Sequence, residues 1–134
     1  MKEVIHKYFA SWISKDIEIL EQVFAKDVVY TECYGPEYHG LDQILRWFEE
    51  WNQKGSVLEW IIKREIEKDK TIVVEWYFKC DYQGKVSGFD GVTIADFNKE
   101  GKIFRLKEFR SDSEHIYPYE WKGEKHETVN KWFS

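Results

Sequence analysis

Hydrophobic residues recur first at helical spacing and then at every second position, and this change of period divides the chain. Val4, Ile5, Tyr8, Phe9, Trp12 and Ile13 form one apolar stripe with Lys2, Lys7 and Ser11 off it, which predicts a helix from about residue 3. Ser14 and Asp16 can cap a second helix in which Ile17, Leu20, Val23 and Phe24 face inward and Lys26 meets the C-terminal end of the dipole. The two helices should form a hairpin. From Asp27 the period drops to two: Val28, Tyr30, Glu32 and Tyr34 fall on one side, Val29, Thr31 and Cys33 on the other. Gly35-Pro36 breaks that strand. After Gly40, the residues Ile44, Leu45, Phe48 and Trp51 or Asn52 return to helical period, a third helix laid as a lid and ending near Gly55.

Beyond Gly55 the alternation predicts a meander of four strands. Leu58, Trp60, Ile62, Arg64 and Ile66 share one face of the first, and Ile72, Val74, Trp76, Phe78, Cys80 and Tyr82 the apolar face of the second. Gln83-Gly84 turns into a strand from about Val86 to Phe97, and Asn98 to Gly101 turns into the last, Lys102 to Ser111. There Phe104, Leu106, Glu108 and Arg110 should look inward, while Ile103, Arg105, Lys107 and Phe109 look away. Gly84, Gly88 and Gly91 read as turns and bulges, since no helix follows them to make a phosphate loop. Helices first and sheet afterwards is an α+β order: three N-terminal helices packed on a curved antiparallel sheet, with room for an internal pocket. Residues 1–112 make this domain. The remainder, 113–134, is an aromatic extension that packs either on the same domain or on a partner subunit.

At 134 residues the chain can bury a core without metal or disulfide support. Its 20 Lys and Arg against 25 Asp and Glu, a net charge of −5, argue against nucleic acid or an anionic membrane as partner. No apolar run reaches the roughly 18 residues of a membrane span, and the N-terminus mixes Lys2, Glu3, His6 and Lys7 with apolar residues, unlike a signal peptide. Cys33 and Cys80 match no metal or redox spacing and are expected as free thiols, so a cytoplasmic location is expected. His126-Glu127 begins like a zinc helix, but Asn130 stands where the second ligand belongs; no metal and no cofactor are assigned.

The run HKYFASWISKDIEILEQVFAKDVVYTECYGPEYHG resembles the nuclear transport factor 2-like superfamily, whose SnoaL-like members include polyketide cyclases and whose wider membership includes ketosteroid isomerases. The shared features are a helical hairpin, a short Asp-Val strand, an acid before a Gly-Pro-type turn, a lid helix, and a meander ending in a turn like Gly101-Lys102-Ile103. The resemblance spans about residues 3–112. It implies a cone whose concave sheet face and helices enclose an apolar pocket, and a homodimer through the outer sheet face. Ile61, Val73, Tyr77, Val92, Ile94, Ile103 and Phe109 would make up that outer face. By motif, Glu32 falls on the isomerase's general base and Tyr8 on its oxyanion tyrosine. The second oxyanion acid would fall near Thr93, a departure from the family, because a threonine cannot donate like a carboxylic acid.

Glu108 and Arg110 offer a replacement, since both should meet Glu32 inside the cone. The candidate catalytic set is therefore Glu32, Tyr8, Glu108 and Arg110. Tyr30, Trp60, Trp76, Phe78, Phe89 and Thr93 are the candidate wall for a modest apolar or aromatic ligand. If catalytic, the protein would be an isomerase- or cyclase-like, or lyase-like, proton-transfer enzyme. Glu32 is either a general base or ligand anchor, or a carboxylate paired with Arg110; Tyr8 is either an oxyanion donor or a core tyrosine. Two other readings stand beside this one. The first is a non-catalytic module whose aromatic interior is solid. The second is an epoxide-opening hydrolase, for which Arg64 or Arg110 with Glu32 and Glu108 would have to imitate an acid–arginine–acid relay.

Overall fold

The computed structural model describes residues 1–120. Three helices, α1 (Lys2–Ser14), α2 (Glu18–Val23) and α3 (Leu41–Lys54), accompany six strands: β1 (Phe24–Thr31), β2 (Glu37–His39), β3 (Gly55–Lys68), β4 (Thr71–Tyr82), β5 (Lys85–Phe97) and β6 (Ile103–Ser111). The strands form one curved sheet in the order β2-β1-β6-β5-β4-β3. The α+β class holds, but the sheet is mixed rather than purely antiparallel, because β1 runs parallel to β6. The packing of the aromatic extension past residue 120, and the His126-Glu127 motif, lie outside the described residues.

The apolar stripe of α1 buries Ile5, Tyr8, Phe9 and Trp12, and the helix stops at Lys15, whose φ of 60° turns its N–H back to the Ser11 carbonyl. Asp16 Oδ1 accepts the Glu18 N–H at 3.2 Å and starts α2. That helix is shorter than its apolar spacing predicts. Phe24 is already extended and pairs with Ile103 of β6, so Phe24 and Lys26 belong to a strand and Lys26 meets no helix end. Once Glu32 is passed, its carbonyl takes the Gly35 N–H and its N–H goes to the Pro36 carbonyl, a turn that feeds the unforeseen strand β2. The same turn carries Tyr34 out to the mouth of the cavity, leaving it 59% exposed. The His39 ring bonds Glu37, and its backbone N–H donates to Gln43 Oε1.

Three bulges re-aim two strands relative to a simple alternation. In β3 the register shifts between Val57 and Glu59 and again between Ile62 and Arg64, so Leu58 and Lys63 are extra residues. Val57 therefore faces inward opposite Cys80 and Glu65 opposite Val74, whereas Arg64 and Ile66, expected inside, look outward. Between β5 and β6 the shift at Phe97 makes Ile103 its partner, and both are buried. Ile103 is thus core rather than outer face, and Phe104 is the half-buried extra residue. Gly91 is neither turn nor bulge: a Cβ there would come within 2.6 Å of the Phe109 carbonyl and of the Trp76 ring, so the missing side chain makes room for Trp76.

Candidate functional site

Between the inner sheet face and the helices lies a cavity of about 540 Å³, above the roughly 300 Å³ at which small-molecule sites begin. Its sheet wall is Trp60 of β3, Trp76 and Phe78 of β4 and Phe89 of β5; α1 adds Trp12, and α3 adds Trp47 and Trp51. These rings are locked by one another. Trp60 stacks on Phe9 at 3.8 Å and 6°, and meets Trp76 edge-on at 5.5 Å. Trp47 stacks on Tyr38 at 4.6 Å. The Trp76 indole N–H donates to Thr93 Oγ1 at 2.8 Å. The indole N–H of Trp60 is buried within the aromatic packing with no acceptor among the described residues.

The acids arrive from opposite ends of the chain. The parallel pairing sets Tyr30 opposite Leu106 and Thr31 opposite Lys107, which places Glu32, just past β1, beside Glu108 of β6. Both line the cavity, and only 5% and 8% of their surfaces are exposed. Glu108 is also the cross-strand partner of Thr93. The carboxyl missing at Thr93 is thus present one strand over.

Glu108 Oε2 accepts the Tyr30 hydroxyl at 2.6 Å, and Tyr30 accepts the Tyr8 hydroxyl at 2.6 Å. The result is a buried chain of donors aimed at one carboxyl. Burial pushes Glu108 up to about 8; the Tyr30 hydroxyl opposes the rise and the Glu32 charge adds to it. Burial also pushes Glu32 up to about 7, against the Tyr38 hydroxyl. Tyr8 and Tyr30 are held well above the usual phenol range, first by burial and then by the charge of Glu108.

The remaining candidates divide. Tyr8 stands behind Tyr30 and Thr93 behind Trp76, and neither ring nor hydroxyl reaches the cavity wall. Arg110 is an exposed residue on the rim with its guanidinium 4.9 Å from the centre of the Phe89 ring. Among the described residues no ion pair joins it to Glu32 or Glu108. Arg64 pairs with Glu75 at 3.3 Å on the outer face, so the arginine relay of an epoxide hydrolase is not assembled. No group of three or more His, Cys, Asp or Glu among the described residues is placed to hold a metal ion.

Trp12, Trp47 and Tyr38 were not anticipated as wall residues. For Trp47 the signal was present, since it stands four residues before Trp51 and three after Ile44 on one helix face. Tyr38 belongs to β2, whose three residues carry no periodicity to read.

A model of the SnoaL-like domain matches residues 5–106. No curated protein matches the chain. Similar solved structures include a hypothetical protein from Catenulispora acidiphila with a ketosteroid isomerase-like fold, in complex with trimethylamine. It is 16% identical over 90% of this chain and 98% of its own, with a TM-score of 0.73. An LEH-like epoxide hydrolase of M. tuberculosis is 11% identical over 81% of this chain and 80% of its own, TM-score 0.74. An NTF2-like protein of unknown function from Burkholderia pseudomallei is 16% identical over 82% of this chain and 89% of its own, TM-score 0.70. At such identities the likeness speaks for the fold alone. The family match over most of the domain, together with the cone that these neighbours share, makes this chain a member of the SnoaL-like family.

Proposed function

We propose that the protein binds a small apolar or aromatic compound in this cavity and moves a proton on it beside a carbonyl group. Glu32 is the base and neutral Glu108 the hydrogen-bond donor to the developing oxyanion. One observation carries the reading: two buried carboxyls with no cationic partner among the described residues face one aromatic cavity, at about 7 and about 8. Near neutral pH that leaves a fraction of Glu32 ionised to accept a proton and most of Glu108 protonated to donate a hydrogen bond. Because Tyr30 donates to Oε2, the Glu108 proton belongs on Oε1. The oxyanion role given to Tyr8 or Arg110 by sequence passes to Glu108, with Tyr8 a positioning residue behind it. The trimethylamine of the Catenulispora acidiphila relative supports small-molecule size.

The test is exchange of α-hydrogens of a panel of small ketones and aryl ketones in D2O, followed by proton NMR. Wild type should exchange at least one of them, and Glu32→Gln should slow it about 10²- to 10⁴-fold with the fold intact by circular dichroism. Binding without any exchange would replace this reading by the non-catalytic one.

The same proposal includes a homodimer through the outer sheet face, supported by exposed Ile61, Ile94 and Phe109. Sedimentation should give a dimer that Ile94→Lys splits. A cytoplasmic location is supported by the free thiols Cys33 and Cys80.

A further inference from the structure

The cavity has a charge pattern that a neutral ligand would leave unmatched. Glu32 and Glu108 sit deep in it, and the one cationic side chain in its lining, Arg110, is exposed at the rim. The Tyr8–Tyr30–Glu108 chain points every hydroxyl toward the carboxyl, which opposes the upward push of burial without overcoming it and leaves Glu108 able to ionise when a positive charge arrives. Among the described residues no positive group forms an ion pair with either carboxyl. Trp47, Trp51, Trp60 and Tyr82 line the same cavity, and aromatic rings attract cations through their quadrupoles. Arg110 over Phe89 already shows a cation on one of these walls.

Resting on the reading of this cavity as the ligand site, we propose that its ligands carry a small methylated ammonium group, seated between the Glu32–Glu108 pair and the tryptophan wall. A primary ammonium fits poorly: it brings three strongly hydrated donors into a lining whose chief side-chain acceptors are the two carboxyls. A tertiary or quaternary nitrogen presents methyl groups to the rings and needs one acceptor or none. Such a cation also favours the ionised form of Glu32, so that binding readies the base.

The charge balance makes this a pH-dependent preference. The other titratable groups facing the pair are Tyr30 of β1, Cys33 and Tyr34 of the following turn, Tyr38 of β2 and Arg110 of β6, with Glu50 of α3 beyond Tyr38. Burial holds Cys33 up to about 12 and the tyrosines above the ordinary phenol value, so between pH 5.5 and 8.5, the range of the test, the buried groups that titrate are the two glutamates.

Choline and 3,3-dimethylbutan-1-ol differ only in a charged nitrogen for a carbon, and calorimetry of both on the whole protein tests the idea. At pH 8.5 choline should bind at least about tenfold more tightly than the alcohol. That preference should shrink toward pH 5.5, with proton release at pH 7 seen as a dependence on buffer ionisation enthalpy. Glu108→Gln should reduce the preference, and Arg110→Gln should leave it or raise it. Equal binding of the two probes, or tighter binding of the alcohol, overturns the cationic ligand while leaving the pocket reading in place. If neither probe binds and the neutral aromatic 2-naphthol does not bind either, the pocket reading falls and takes this inference with it.

Discussion

The two faces of the sheet treat acidic residues in opposite ways. On the outer face Asp96 accepts from Arg105 and Thr71, Asp90 from Lys63, and Glu75 pairs with Arg64; the Asp96 carboxyl is held below its ordinary value by those partners despite some burial. On the inner face Glu108, two register pairs from Leu106, has a tyrosine for company and is pushed up. An acid with a cation beside it is a fastening. An acid kept from water without one is a stored capacity to exchange a proton.

The largest expected break in this contrast is the sign of the pH response. The folded-state value of Glu108 lies above its unfolded value, moving from 4.5 to about 8. Its contribution to stability is therefore fully present below the unfolded value and is lost as pH rises through the folded one, by up to about 5 kcal/mol. Urea unfolding should show the wild type less stable at pH 8.5 than at pH 5, and Glu108→Gln should flatten that slope. Next comes packing. Trp76→Ala empties the floor of the inner face and should cost about 3–5 kcal/mol, whereas Phe109→Ala, on the outer face and 45% exposed, should change monomer stability by about 0.5 kcal/mol or less.

Tyr8→Phe should be milder, about 1 kcal/mol. It removes the hydrogen bond to Tyr30 and should move the Glu108 titration further up in a carboxylate-detected NMR experiment. A similarly small effect is expected at Asp96 on the outer face, where Asp96→Asn should cost under about 1 kcal/mol. Its pH sign should be reversed: Asp96 lies below its unfolded value, so its stabilisation is present above that value and is lost as pH falls.

Much of this arrangement could be read from the residues. The order of the three helices and of every strand but β2, the inward face of β4 and the inward direction of Glu32 and Glu108 follow from period alone. What escaped was whatever depends on one residue more or less. Leu58, Lys63 and Phe104 each occupy a bulge, and a bulge leaves no mark in a pattern that counts by twos; Arg64, Ile66 and Ile103 were misassigned for that reason. The end of α2 was misplaced because Phe24 suits either a helix stripe or a strand, and its partner Ile103 decides between them from the far end of the domain. The absence of an Arg110 pairing was equally invisible, since it depends on Phe89 offering its face to the guanidinium.

The parallel seam between β1 and β6 has a consequence for how the protein comes into being. Glu32 leaves the ribosome early and waits through α3 and the whole meander before Glu108 is made. Until β6 slides in beside β1, neither carboxyl has the neighbour or the enclosure that distinguishes it from any surface acid. The enclosed pair of carboxyls is thus among the last features the growing chain assembles. A nascent or prematurely ended chain lacking β6 has no such pair.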